Sequence, residues 1–300
     1  MAANSVFAWD RSSGRWEFTM VIVIGASGYI GRQLVHAYRG RQYVYATSSS
    51  YKQGLSYFNL DDPGSFDYSL IAPESTIFLM AAISAPDICA RDFDKAWAIN
   101  VTGTSAFVAA ALARGARVIF FSSDAVYGNV EDHVDEASAC NPIGEYGSMK
   151  REVELRFAGH PGFKALRLSY VFSLEDKFTN YLMGCAIRGE EADVFHPFYR
   201  AIVHRDDVIS GALAVAELWD QIPEQFINFG GPQILSRLEF TECLSTVHLN
   251  GLQFRASPPS PDFFRSRAQV IAMASPVFAR LLGRPPRSLS EAASIEFFQV

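Results

Sequence analysis

An α/β fold, a doubly wound parallel sheet with a smaller C-terminal lobe, is what this 300-residue sequence predicts, and three features carry the prediction. The β-branched run Val21-Ile22-Val23-Ile24 leads directly into Gly25-Ala26-Ser27-Gly28-Tyr29-Ile30-Gly31. Strand-like apolar runs then alternate with helix-like stretches, as a parallel sheet with helical crossovers requires. A Tyr146-x-x-x-Lys150 step follows about 120 residues after the glycines, with Phe121-Ser122-Ser123-Asp124 between the two.

The first strand is expected at 21–24, because β-branched residues without alternation fit a strand buried on both faces. The pattern G-x-x-G-x-x-G then opens a helix at about 30–39, whose first amides and dipole suit a pyrophosphate. Gly25 permits the tight turn, Gly28 lets the backbone approach the phosphates, and Gly31 lets helix and strand pack closely. Ser27, Tyr29 and Ile30 complete this expected cofactor loop. Further strands are expected at 43–47, 76–80, 117–121, 164–168 and 225–229, and helices at about 92–114, 146–157 and 206–220. Right-handed crossovers put the ligand at the carboxyl ends of such strands. Stretches 172–200 and 230–300 break the repeat and read as a substrate lobe, appended to a dinucleotide-binding domain at 20–171 whose sheet is completed by about 201–229. Ser257-Pro258-Pro259-Ser260-Pro261 reads as a connecting loop, and no internal repeat is found.

Composition sets bounds on function. With 49% hydrophobic residues the chain can bury a full core. A net charge of -6 and a pI near 5.6 leave no basic footprint for nucleic acid. Cys89, Cys140, Cys185 and Cys243 have neither paired nor zinc-ligand spacing, and read as reduced thiols of a cytoplasmic protein. The histidines are scattered, so no metal site is expected, and His204 reads as structural. No apolar run reaches the ~18 residues of a membrane span. Residues 1–19 lack the layout of a secretory signal. They read either as an extension that packs through Trp9 and Trp16 or as a segment preceding a natural start at Met20.

If 145–157 is helical, residues four apart share a face, and the Lys150 ammonium lies beside the Tyr146 phenol. A free tyrosine titrates near ~10. An adjacent cation favours the phenolate and brings the group within reach of proton exchange at neutral pH.

Together these motifs resemble the extended short-chain dehydrogenase/reductases that act on nucleotide sugars, and are most similar to the dTDP-4-dehydrorhamnose reductase branch. The resemblance runs from about residue 20 to 245. It includes Met80-Ala81-Ala82, Asn100-Val101-Thr102-Gly103-Thr104, Ser122-Ser123-Asp124-Ala125-Val126-Tyr127-Gly128, Leu166-Arg167-Leu168, and Arg200-Ala201-Ile202-Val203-His204-Arg205-Asp206-Asp207. It implies a Rossmann-type sheet and catalysis by Ser123, Tyr146 and Lys150: Tyr146 as proton donor, Ser123 as second hydrogen-bonding group, Lys150 as tuner of Tyr146 and ribose ligand. Ser123 is preferred to Ser122 because neighbours on a strand face opposite ways and the family hydroxyl directly precedes this Asp. The resemblance also places Leu60, Ala81 and Ala82 along the cofactor, gives Asn100 a structural role, sets Asp124 and Ala125 at the substrate, and assigns Arg200 to the substrate's diphosphate. Asn59 stands where the family has an acid near the adenine.

After the second strand comes Thr47-Ser48-Ser49-Ser50-Tyr51-Lys52, with no acid to hold a ribose diol. Ser48, Ser49 and Lys52, with Arg32, suit a 2′-phosphate, so NADP is expected, with NAD as the alternative. Related dehydratases carry Asp-Glu where this chain has Asp124-Ala125, and a methyl group cannot abstract a proton. The expectation is therefore reduction of a nucleotide-linked 4-keto-(6-deoxy) sugar. C4 epimerisation with tightly bound NAD is the alternative, and a non-catalytic dinucleotide-binding sensor comes third. By analogy, helices 92–114 and 146–157 would pair in a homodimer.

Overall fold

The computed structural model describes residues 8–10, 15–17, 20–40, 42–81 and 83–298. The expected cofactor contact at Ala82 and the packing of the Trp9 and Trp16 side chains lie outside the described residues. Seven parallel strands form the main sheet: β1 (Val21–Ile24), β2 (Val44–Ser48), β3 (Ser56–Tyr57), β4 (Thr76–Leu79), β5 (Arg117–Ser123), β6 (Phe163–Leu168) and β7 (Phe226–Phe229). Their order is β7-β6-β5-β4-β1-β2-β3. Order reverses on either side of β1, the doubly wound arrangement that alternation predicts. Strand β3 was not expected, since two residues carry no readable period.

The chain forms two compact units. The first comprises Met1–Ile83, Asp94–Phe121 and Arg156–Lys164. In it Val21, Ile22, Val23 and Ile24 are all buried, as a strand covered on both faces demands. Helix α1 (Tyr29–Tyr38) follows the glycine turn, and buries Gly31, Leu34 and Tyr38 while its polar side faces solvent. Phe58, Phe66, Tyr68 and Phe107 form an aromatic cluster with centroid separations of 5.1–6.0 Å. The stretch expected as one helix over 92–114 is interrupted: a π-helical segment, Ala98–Gly103, precedes α2 (Thr104–Leu112). A Cβ on Gly103 would lie 1.6 Å from the Leu60 carbonyl oxygen, so only glycine fits there.

The second unit comprises Ser84–Phe93, Ser122–Leu155 and Ala165–Val300. It contains helices α3 (Gly144–Arg156), α4 (Lys177–Arg188), α5 (Arg205–Glu217), α6 (Arg237–Val247) and α7 (Leu289–Phe298). A four-stranded sheet runs Ile234–Ser236, Tyr199–Ala201, Val270–Met273, Val130–Val134. Ala192–Phe195 pairs separately with Phe254–Ser257. Phe172, Leu182, Cys185, Val194, Phe240 and Leu244 are at the centre of its main apolar core. All four cysteines are free thiols. Among the described residues no helix is long and apolar enough to cross a membrane.

Candidate active site

Strand β5 ends in Ser122-Ser123, and a single 3-10 turn, Asp124–Tyr127, follows. The Ser123 hydroxyl caps that turn by accepting the Ala125 amide at 3.2 Å, and donates to Asp124 Oδ1 at 3.1 Å. The Tyr146 phenol, which projects from α3, lies near enough for this hydroxyl to act on it. This close approach requires Gly147: a Cβ there would lie 2.7 Å from the Ala125 carbonyl oxygen. One helical turn on from Tyr146, Lys150 is buried with its ammonium 5.9 Å from the Tyr146 ring centroid. The structure thus brings Ser123, Tyr146, Lys150, Asp124 and Ala125 together.

The electrostatics differ from the simple picture of a cation lowering a phenol. Burial pushes the Tyr146 phenol well above its ordinary range, with the charge of Asp124 adding to burial and the Ser123 hydroxyl opposing it. Tyr146 is therefore held protonated, as a donor must be. The expectation that Lys150 brings this phenol into the neutral range is corrected here, because Lys150 itself is desolvated: burial pulls its ammonium down to about 8, with Cys89 and Glu154 pulling upward. Cys89, fully buried, is thus part of the environment of both groups. Asp124 is buried too, and desolvation pushes its carboxyl up against Arg200, Ser169 and Ser123, which favour the charged form.

Arg200 does not present an open fork. Its Nη1 donates to the Tyr199 carbonyl at 2.6 Å and its Nη2 to the Ala268 carbonyl at 2.8 Å, while Nε lies 3.6 Å from Asp124 Oδ2. Strand Val270–Met273 and the residues before it supply carbonyls that hold Arg200 beside its own strand. Its ion partner is Asp124.

In the first unit, the cofactor loop has the shape a pyrophosphate needs. Gly25 adopts φ +90°, and a Cβ on it would lie 2.9 Å from the Ala81 amide nitrogen. A Cβ on Gly31 would lie 2.5 Å from the Gly25 carbonyl oxygen. Helix α1 begins after Gly28 with no side-chain cap, so Tyr29 and Ile30 open a helix whose amide end is available to an anion. Ser48 is buried, its hydroxyl donating to Ser27 Oγ at 3.0 Å, and it braces the glycine loop instead of standing out beside Ser49 and Lys52, which are exposed. Leu60 is buried behind Gly103. Asn100 clamps the Ile83 backbone, accepting its N–H at 2.8 Å and donating to its carbonyl at 3.0 Å, a structural task as expected.

Sequence reasoning missed the support of the site. Glu154, completely buried, accepts from Ser122 Oγ at 2.7 Å, from Arg151 at 2.9 Å, and from Arg167 at 3.0 and 2.8 Å. It lies one turn beyond Lys150, so the same four-residue spacing that pairs Tyr146 with Lys150 contains the signal. Ser169, which donates to Asp124 Oδ2 at 2.8 Å, had no such signal. The scattered histidines gave no ligand spacing, yet His204, Asp206 and Glu296 bring ligand-type atoms within 4.8 Å of one another. A cation is already there: Arg205 lies 3.3 Å from Asp206 and 3.4 Å from Glu296. His204 is buried and pairs with Glu296 at 2.9 Å.

Comparison with known proteins shows the family and the fold. Residues 19–288 match the family model described as the RmlD substrate binding domain. The methionine adenosyltransferase 2 subunit beta of Danio rerio is 25% identical over 247 residues, 78% of this chain and 76% of that protein. The solved structure of MoeE5 in complex with UDP-glucose and NAD superposes with a TM-score of 0.79 at 23% identity, covering 93% of this chain and 97% of that one. The dTDP-4-dehydrorhamnose reductase of Bacillus anthracis str. Ames, in complex with NADP, gives 0.79 at 18% identity, covering 94% and 99%.

Proposed function

We propose, for a chain that belongs to the RmlD substrate binding domain family within the extended short-chain dehydrogenase/reductases, that it reduces a nucleotide-linked 4-keto-(6-deoxy) sugar with a nicotinamide dinucleotide. The observation that carries this reading is Tyr146 beside Ser123, with Lys150 on the next turn of the same helix and a methyl group at Ala125. The glycine loop, whose close contacts leave no room for side chains and whose helix has an open amide end, fits the dinucleotide. A reduced nicotinamide, when bound, supplies the hydride.

The chain's own groups then have defined tasks. Tyr146, and Ser123 once its hydroxyl turns from Asp124, offer two hydrogen bonds to the ketone oxygen, where charge develops. Tyr146 gives up its proton, so the ketone becomes an alcohol and the phenolate left behind is stabilised by the Lys150 ammonium. Ala125 has no acid–base function, so loss of water from the sugar is not a step of this enzyme. Epimerisation with tightly bound NAD, which begins with the opposite transfer of a proton from a hydroxyl, is the second reading. The relative from Danio rerio is named as a subunit of another enzyme, and a partner-binding role is the remaining reading. The complete Ser123, Tyr146 and Lys150 set speaks against it.

NADP is the proposed form of the cofactor, since residues 47–52 offer hydroxyls and the Lys52 cation but no carboxylate. A homodimer through helices 92–114 and 146–157 is proposed as well, with Phe93 and Leu155 exposed on those stretches. A panel of dTDP-, UDP- and GDP-linked 4-keto-6-deoxy sugars, incubated with NADPH or NADH, tests the function. Stoichiometric loss of nicotinamide absorbance with formation of the 4-hydroxy sugar is expected. In a companion incubation of the corresponding 4-hydroxy nucleotide sugars without added reduced cofactor, interconversion of C4 stereoisomers, together with no reduction of the 4-keto panel, would identify an epimerase instead.

A further inference from the structure

Residues 266–270, which join the turn Pro261–Arg265 to strand Val270–Met273, touch several parts of the candidate site within the second unit. At one end Ser266 packs directly against Gly144, the first residue of α3: Gly144 adopts φ +76°, and a Cβ on it would lie 2.6 Å from Ser266 Cα. Tyr146 is two residues further along that helix. At the other end Gln269 and Val270 donate their amides to Asn129 Oδ1, both at 2.9 Å. Between the two, the Ala268 carbonyl accepts from Arg200 Nη2 at 2.8 Å, and Arg200 Nε faces Asp124, the acceptor of the Ser123 hydroxyl. The run therefore spans from the start of the Tyr146 helix to the turn that follows Ser123.

Arg267 fastens the middle of this run. It makes a two-pronged pair with Asp87, both contacts at 2.6 Å, across 180 residues of sequence. Its guanidinium carbon lies 4.6 Å from the Phe263 ring centroid, so a ring orients the fork and a carboxylate receives it. Asp87 is on the short helix Pro86–Arg91, and the completely buried Cys89 of that helix acts on both Tyr146 and Lys150. The Asp87 side chain is 71% exposed. An ion pair with so exposed an acid contributes little to stability. In two-pronged geometry it fixes position more than it stabilises the fold.

We propose that Arg267, through Asp87, is a positioning residue of the reaction: it seats residues 266–268 between α3 and the Asp124 turn, and so sets the distance from Tyr146 to Ser123. The proposal rests on the nucleotide-sugar reading for the reaction it serves. A ketone oxygen has to meet both hydroxyls at once, and a displacement of about 1 Å can cost ~10²-fold in rate. A brace one contact removed from both groups can therefore govern turnover without touching substrate.

The test combines steady-state kinetics on the 4-keto-6-deoxy sugar panel with hydrogen exchange of the full chain in NADP, for the unaltered protein, Asp87→Asn, Asp87→Glu, Arg267→Gln and the Asp87→Asn, Arg267→Gln double variant. Asp87→Asn alters the exposed partner, so it guards against a folding artefact. It and Arg267→Gln are each expected to lower kcat about tenfold, with KM and NADP affinity within about twofold of normal, and the double variant should lose no more than either single one. Asp87→Glu, which keeps the carboxylate, should recover part of the rate. Amide exchange should quicken in peptides covering 122–128 and 144–150, neither of which contains the altered pair. Unchanged kcat, additive losses, or faster exchange confined to 84–93 and 261–270 overturns the Arg267 assignment and leaves the nucleotide-sugar reading intact. If the unaltered protein reduces none of the sugars, that reading fails by itself. Exchange in 122–128 and 144–150 then decides the brace: faster exchange upholds it and unchanged exchange overturns it.

Discussion

Ser122 and Ser123, neighbours at the end of one strand, send their hydroxyls to opposite sides: Ser122 Oγ donates to buried Glu154 at 2.7 Å, whereas Ser123 Oγ donates to Asp124 and acts on Tyr146. The pleat of the strand therefore sends Ser122 to the support and Ser123 to the proposed chemistry. Glu154, on the helix that carries Tyr146 and Lys150, ties that helix to the strand through Ser122 and to Arg167.

Ser122→Ala and Ser123→Ala should accordingly have opposite effects. The first removes one donor from a carboxylate that keeps three others, and is expected to cost about 1 kcal/mol of stability with turnover nearly unchanged. The second should leave the thermal midpoint close to normal and lower kcat. Thermal unfolding and steady-state kinetics on both variants check this, and matching effects would show that the two hydroxyls share one role.

Glu154→Ala leaves Arg167 buried without its partner, a type of change that costs about 3–5 kcal/mol. Glu154→Gln keeps part of the hydrogen bonding and should cost less. Chemical denaturation measures both, and equal stabilities would mean the network adds nothing beyond packing.

Tyr146→Phe removes the transferable proton and little else. A loss of about 10²–10⁴-fold in kcat is expected, with dinucleotide affinity within about twofold of normal, as read by fluorescence titration and single-turnover kinetics. Lys52→Ala tests the cofactor preference separately: it should weaken NADPH and leave NADH alone, since charge-assisted bonds to the 2′-phosphate are the strong kind.

Lys150 sets a pH dependence. Its ammonium titrates near 8 in the folded chain, below its ordinary 10.5. Below about 8 both folded and unfolded forms are charged, and the burial penalty is fully present. Between about 8 and 10.5 the unfolded chain binds more protons, so stability should rise with pH across that window. Lys150→Met should abolish that rise in urea midpoints measured from pH 7 to 10. Activity should fall over the same rise in pH, because the neutral amine no longer stabilises the phenolate.

Much of the fold is readable in local pattern. Val21–Ile24 and the glycine turn show strand and helix within eleven residues, and Tyr146 with Lys150 shows one helical face. What pattern cannot show is burial and distant pairing. The raised Tyr146 phenol and lowered Lys150 ammonium follow from desolvation, which no spacing reveals. The Ala268 carbonyl that holds Arg200 is 68 residues away in sequence, so no local pattern announces it. The four-stranded sheet pairs Val130 with Ile271, so nothing near Val130 announces it.

The central claim is net reduction with Tyr146 as donor, and transfer of deuterium from the nicotinamide C4 of labelled NADPH to a dTDP-4-keto-6-deoxy sugar tests it most directly. The account predicts one deuterium at C4 of the product sugar for each cofactor oxidised, with loss of transfer in Tyr146→Phe. Absence of label from the sugar, with no cofactor consumed, would contradict it.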